Sequence, residues 1–160
     1  MSAESSIESG EYLVKISGCH DCHSPKVYTE ERSVLDTTGL LSGQPAGEAI
    51  PEASVDALGP GKWVVVSNEH FTAWAGAWGV SFAANLTPDT TGMQAWKKEK
   101  FIEAMRTGKN MGQGRPILPP MPWPNVALMT DDDLGAVFNY LMSVKPINNP
   151  VPQPIPPMEG

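Results

Sequence analysis

Both cysteines of the chain and two of its three histidines lie in one stretch, Cys19-His20-Asp21-Cys22-His23. The spacing C-x-x-C-H is the attachment pattern of a c-type haem. In that chemistry the two thiols add to the vinyl groups along one edge of the porphyrin. The histidine after the second thiol is then held where its neutral imidazole can ligate the iron. The stretch predicts one covalent haem c anchored by Cys19 and Cys22, with His23 as an iron ligand.

Three other chemistries fit parts of the same stretch. A thioredoxin-like redox pair uses C-x-x-C where a strand runs into a helix, and no strand–helix alternation is visible here. A structural zinc site draws two ligands from each of two separated clusters, whereas the third histidine, His70, stands alone. A disulfide between Cys19 and Cys22 leaves the adjacent His23 without a role. Haem attachment is the interpretation that uses all three residues.

A second candidate site is the methionine in Leu118-Pro119-Pro120-Met121-Pro122-Trp123-Pro124. Its four prolines exclude a helix and reduce the conformational freedom of the unliganded loop, which a weak thioether ligand requires. Methionine opposite histidine is the ligand pair that raises the potential of cytochromes c. We therefore predict Met121 as the second iron ligand, with Met111 in the glycine-rich Gly108–Gly114 loop as the alternative. Core packing accounts for Met93, Met105, Met129 and Met142.

Two further residues bear on the chemistry of such a site. Metal-bound imidazoles usually donate their other ring N–H to a carbonyl or carboxylate, and the backbone at Pro25 is the candidate acceptor for Nδ1 of His23. His70 is the candidate for a distal group, although a solvated loop histidine is the favoured interpretation. If the distal ligand were displaceable, the protein would act as a peroxidase or a gas sensor. If both axial positions are filled by His23 and Met121, no substrate site is open and the chain is an electron carrier, not an enzyme.

The charge of the chain restricts its partners. The formal net charge is −7 and the pI is near 4.8, which excludes nucleic acid and anionic membranes as favoured partners. An acidic carrier is steered toward redox proteins with a basic docking surface; the oligomeric state is left open. No apolar run approaches the roughly twenty residues of a membrane span. The first residues lack a basic and apolar signal sequence. We expect a periplasmic or otherwise extracytoplasmic protein whose signal sequence has been removed.

Three helices are predicted from apolar periodicity and from their ends. The first covers 5–18 and contains Gly10, whose cost in a helix interior is explained if another helix crosses there closely. A tolerated glycine in a frayed first turn fits the residues equally well. The second covers 97–107 and ends at a glycine. The third begins after Thr130, has three aspartates in its first turn, and ends before Pro146. The fold class we expect is all-α, with long irregular loops wrapped around the haem.

The remaining segments are irregular. Residues 26–60 show little periodicity and are rich in glycine and proline from Gly39 onward, and a large buried cofactor would explain so long a loop. Trp63–Val66 is the strongest strand signal, and with a second strand over His70–Trp74 it predicts one small β-hairpin. We expect residues 1–145 to form a single domain. Residues 146–160 form a proline-rich tail, which lies extended along the domain or hangs free.

The order of these features resembles the class I cytochrome c family. The shared features are an N-terminal helix with Gly10 and Tyr12, then C-x-x-C-H, a methionine flanked by prolines, and a last helix ending in Asn139-Tyr140-Leu141. One bacterial branch of the family is similar to this chain over four segments, which are Asn85–Asp89, the segment from Phe101 to Gly108, the proline-rich segment around Met121, and the last helix. That branch includes single-haem periplasmic cytochromes and the haem domains of alcohol-dehydrogenase cytochrome subunits.

The resemblance carries specific implications. It implies the cytochrome c fold, with the first and last helices crossing near Gly10 and Tyr140. It implies His23 below the iron and Met121 above it, with two thioether anchors at the cysteines. It also implies one-electron transfer. The segment between Pro25 and Asn85 is longer than in small cytochromes c, so the resemblance implies nothing about its contacts.

Overall fold

The computed structural model describes residues 3–52 and 57–157, which form helices, short strands and long connections. The helices of this part of the chain are α1 (Ala3–Ile16), α2 (Cys19–His23), α3 (Lys98–Thr107), α4 (Trp123–Val126) and α5 (Asp131–Leu141). Its strands are β1 (Lys26–Tyr28), β2 (Ser33–Leu35), β3 (Val65–Ser67), β4 (Ala73–Gly76) and β5 (Gly79–Phe82). Within these residues, no helix combines the length and the apolar character needed to cross a bilayer.

The three predicted helices are confirmed, with small shifts of their ends. At the start of α5, the Thr130 hydroxyl accepts from the Asp133 N–H and the Asp133 carboxylate accepts from the Thr130 N–H, which forms a capping box. At the end of α3, Gly108 adopts a left-handed φ of 65° and its N–H donates to Ala104 O. The first helix begins and ends two residues earlier than expected.

The helices α1 and α5 cross in van der Waals contact at Gly10. A Cβ at this position would lie 2.0 Å from Ala136 O and 2.8 Å from Tyr140 Cβ, so only glycine fits. The close crossing expected from the sequence is therefore confirmed. The core forms where α1, α3 and α5 meet, and its buried side chains are Val14, Leu41, Met93, Phe101, Ala104, Met105, Leu134, Val137, Phe138 and Leu141.

The prediction of an all-α fold is wrong. Helices account for 31% of the chain, and the described residues also contain two small antiparallel sheets. In the first sheet β1 pairs with β2, and in the second the order is β3-β4-β5. The strands are three or four residues long, so none is long enough to show a clear alternation of apolar and polar side chains. Apart from the predicted hairpin, these strands depend on their pairing partners and carry no strand signal in their own sequences.

The second sheet corrects the predicted hairpin in its extent. The first strand begins at Val65 instead of Trp63, and Trp63 and Val64 are exposed at 71% and 77%. The second strand begins at Ala73 and pairs on its other side with β5, which the sequence did not predict. The hairpin is therefore part of a three-stranded sheet that brings residues 79–84 toward α2.

The described part of the proline-rich segment, through residue 157, lies along the domain. Val80 N donates to Ile155 O at 2.8 Å and Ile155 N donates to Val80 O at 2.9 Å, which attaches the segment to β5. Asn85 Nδ2 donates to Ile147 O at 2.8 Å. The residues after α5 therefore contribute contacts to the fold, while the expected domain boundary at residue 145 stays a prediction.

Candidate haem-attachment site

The helix α2 carries both thiols and the adjacent imidazole on little more than one turn. Gly18 precedes it with a left-handed φ of 69°, and Ser24 follows it in an extended conformation. Cys19 and Cys22 are free and half-buried. A three-residue offset places the two thiols on one face of the turn, as required for two attachments to one edge of a planar ligand.

Burial keeps both thiols protonated at neutral pH. Desolvation raises the pKa of Cys19 to about 11, and it raises the pKa of Cys22 as well. A thiol redox couple uses the thiolate, which such a pKa disfavours. Among the described residues, the thiols and histidines of α2 also form no group of three donors close enough for one metal ion. The two alternatives to haem therefore gain no support.

The His23 imidazole is fixed by a backbone carbonyl far along the chain. Its Nδ1–H donates to Ala84 O at 2.8 Å, and Nε2 makes no hydrogen bond to a described residue. Burial lowers the pKa of His23, partly opposed by this hydrogen bond, so the ring is neutral at physiological pH. The expected acceptor near Pro25 is wrong, because Pro25 O accepts from Asp36 N at 2.9 Å.

The Ala84 carbonyl is positioned by the segment around Gly43. Gly43 N donates to His23 O at 2.8 Å, and Gln44 N donates to Ala83 O at 3.0 Å. Gly43 has a φ of 78°, and a Cβ there would lie 2.3 Å from Ala83 O and 2.7 Å from Ala84 O. Because Gly43 has no side chain, it can contact both the backbone of His23 and the Ala84 carbonyl that accepts from the His23 imidazole.

Asn149 supports this segment from the far end of the chain. Its buried side chain donates from Nδ2 to Ser42 O at 2.7 Å and to Gln44 O at 2.9 Å. Its Oδ1 accepts from Ala46 N at 2.7 Å. Sequence reasoning assigned Asn149 to the tail and missed this role, since no sequence signal connects residues more than 100 positions apart.

The Met121 loop is attached to the same sheet that presents Ala84. Ser81 Oγ, on β5, donates to Pro119 O at 2.5 Å and accepts from Trp78 Nε1 at 3.1 Å. Met121 N donates to Leu118 O at 3.3 Å, which closes a turn at the methionine. Ser81 is a second residue that the sequence did not indicate, because its partner is a backbone carbonyl 38 positions away.

The segment 81–84 thus contacts both candidate ligand segments, through Ser81 on the Met121 side and Ala84 on the His23 side. Cys19 and Met121 are half-buried at the edge of the same core cluster. The donors are two thiols on one turn, an imidazole with a free Nε2 and a thioether. This set fits a covalently attached haem, and it is the set predicted from the sequence.

His70 and Met111 have other surroundings. His70 Nδ1 accepts from Lys26 N at 3.2 Å, so its proton is assigned to Nε2, which donates to Glu48 Oε1 at 2.7 Å. Glu48, Glu69 and His70 lie close enough for a metal ion, but this tautomer leaves no free nitrogen lone pair for one. Met111 lies in a short 3-10 turn, Asn110–Gly112, and is 38% exposed.

Comparison with known proteins gives relatives that are dehydrogenase subunits, most of them named as cytochrome c subunits. The chain is 28% identical over 139 residues to the gluconate 2-dehydrogenase cytochrome c subunit of Pantoea cypripedii, covering 85% of this chain. It is 27% identical over 146 residues to the quinone-dependent alcohol dehydrogenase cytochrome c subunit of Gluconobacter oxydans, covering 90% of this chain. The corresponding subunit of Gluconacetobacter polyoxogenes is 37% identical over 78 residues, 48% of this chain. No protein-family model matches.

These relatives support a cytochrome c relationship at low identity. The matched regions span 22%, 23% and 16% of the lengths of the three relatives, so the chain corresponds to about a fifth of each. The relationship agrees with the haem-attachment pattern in α2.

Proposed function

We propose that this chain is a one-electron carrier with a single haem c. Cys19 and Cys22 form the two thioether bonds, and His23 and Met121 ligate the iron. When bound, the haem supplies an iron centre that alternates between two oxidation states. The observation that carries the proposal is the His23 hydrogen bond to Ala84 O, which leaves Nε2 free as the ligand nitrogen on the same short helix as the two thiols. One C-x-x-C-H stretch and two cysteines in 160 residues support a single haem.

Each residue of the site has a separate role in this function. The Ala84 carbonyl fixes the tautomer of His23 and increases the basicity of its Nε2. The thioether of Met121 favours the reduced state and raises the potential. With both axial positions occupied by protein groups, no open position is left for a substrate. This arrangement favours electron transfer over peroxidase or gas-sensing chemistry, and the engagement of His70 with Glu48 supports the same choice.

The relatives and the charge indicate the kind of partner. The relatives are cytochrome c subunits of dehydrogenases, so we propose that a dehydrogenase supplies the electrons. The net charge of −7 favours a basic docking surface on the partner protein. We also propose an extracytoplasmic location, where c-type haems are normally attached in bacteria.

The proposal is tested with protein matured in a host that attaches haem c. We expect a covalent haem that survives denaturation, one haem per chain by mass, and a sulfur-to-iron charge-transfer band in the oxidised spectrum. Met121→Ala should abolish that band and lower the potential, because the thioether favours reduced iron and water, a hard oxygen ligand, favours oxidised iron. Met111→Ala is the matched control and should leave both unchanged. A colourless matured protein would refute the haem assignment, and loss of the band in Met111→Ala alone would transfer the ligand role.

A further inference from the structure

Lys26 places a buried ammonium group against the turn that carries the thiols and His23. The residue is only 8% exposed. Its Nζ donates to Ser24 O at 2.8 Å, to His20 O at 3.3 Å and to Asp21 O. The three N–H donors of the ammonium are therefore all used by backbone carbonyls of α2 and the residue that follows it.

This charge has no ion-pair partner among the described residues. No carboxylate within that part of the chain lies within 4.0 Å of Nζ, and the nearest ring contact is Phe71, whose centroid is 5.9 Å away. Burial lowers the pKa of Lys26. Lysine is rarely buried without an ion-pair partner, because desolvation of the ammonium is unfavourable. A neutral side chain could cap the same carbonyls without that cost, so the charge itself requires an explanation.

We propose that Lys26 sets the reduction potential of this site by holding one positive charge against the haem-attachment turn. The inference rests on the one-electron function proposed above. A fixed cation in a poorly solvated position destabilises the oxidised iron, which carries one more positive charge than the reduced iron. The same ammonium also donates to the last carbonyls of α2. A positive charge is favourable there because the helix dipole is negative at the C-terminus. Lys26 is therefore a positioning and tuning residue that acts through the turn it contacts.

Three variants separate the charge from the hydrogen bonds. Lys26→Arg keeps the charge, Lys26→Gln keeps N–H donors without the charge, and Lys26→Met keeps most of the volume without either. The potential of each haem-loaded protein is measured by spectroelectrochemistry. We expect Lys26→Arg to match the wild type. We expect Lys26→Gln and Lys26→Met to lower the reduced-to-oxidised ratio at a fixed applied potential by about tenfold, or about 59 mV for a one-electron couple.

The exposed Lys62 provides the matched control for net charge, and Lys62→Gln should leave the potential unchanged. A wild-type potential in Lys26→Gln would overturn the proposal and leave Lys26 with a hydrogen-bonding role only. If neither neutral variant takes up haem, the arginine variant decides. A tenfold lower reduced-to-oxidised ratio in Lys26→Arg, despite the retained charge, would also overturn the proposal. The haem spectrum separates the two proposals. Absence of covalent haem in the wild type refutes the carrier function, whereas attached haem with a charge-independent potential refutes only the role of Lys26.

Discussion

Replacing Gly43 with alanine tests whether the backbone around the His23 acceptor sets the properties of the site. The added Cβ would lie 2.3 Å from Ala83 O, 2.6 Å from Ala84 C and 2.7 Å from Ala84 O. Carbon and oxygen atoms do not approach so closely without displacement. The Ala84 carbonyl must therefore move, and its 2.8 Å hydrogen bond from His23 Nδ1 must lengthen or break.

The cost has two parts that the structure allows to be separated. A residue other than glycine in a left-handed conformation loses about 1–2 kcal/mol, and Gly43 has a φ of 78°. Forcing a methyl group into a filled space adds about 1–3 kcal/mol. We expect Gly43→Ala to lower the free energy of unfolding by about 2–5 kcal/mol. Gly47 has the same φ of 78° with nothing within 4 Å of its built Cβ, so Gly47→Ala isolates the backbone part.

Displacement of the Ala84 carbonyl should also change the properties of His23, the proposed iron ligand. Loss of the hydrogen bond to Ala84 O makes the His23 imidazole a poorer electron donor, because this bond increases the basicity of Nε2. The oxidised iron is then less stabilised and the potential rises. We therefore expect the potential of Gly43→Ala to lie above that of the wild type.

The assay is chemical denaturation and spectroelectrochemistry of the haem-loaded protein for the wild type and the two alanine variants. Gly47→Ala should lose about 1–2 kcal/mol of stability and keep the wild-type potential. The reasoning is refuted if Gly43→Ala and Gly47→Ala have equal stability and equal potentials. That outcome would mean that the Ala84 carbonyl tolerates the methyl group without moving.

Two further substitutions test the other supports of the site. Ser81→Ala removes the donor to Pro119 O and the acceptor for Trp78 Nε1, at a cost of about 1–3 kcal/mol. Because the Met121 loop then loses its contact with Ser81, external ligands such as imidazole should bind oxidised iron faster, as measured by stopped-flow absorption. An unchanged rate would mean that the Met121 loop is held in place without Ser81. Asn149→Ala leaves Ser42 O, Gln44 O and Ala46 N without their partner and should cost about 2–4 kcal/mol. Thermal unfolding followed by haem absorption checks this, and a melting temperature equal to that of the wild type would contradict it.

The helices show how far local sequence determines structure in this protein. The cap at Thr130, the glycine after α3 and the period of apolar residues in α5 are short-range signals, and the corresponding helices were predicted within a few residues. Gly10 predicted a close helix crossing because a glycine in a helix interior requires a reason. The sheets were not predictable in the same way, since strands of three or four residues depend on distant partners for their hydrogen bonds.

The chemistry of the candidate site follows the same division. The types and spacing of Cys19, Cys22 and His23, and the prolines around Met121, are local patterns, so the sequence alone was enough to propose these residues as haem ligands and anchors. Only the tertiary structure decided which groups surround them: Ala84 O as the acceptor for His23, Ser81 beside the Met121 loop, and a buried ammonium under the attachment turn. Every residue has a backbone carbonyl, and every residue except proline has a backbone N–H. The residue types in the sequence therefore do not indicate which of these groups act as hydrogen-bond partners.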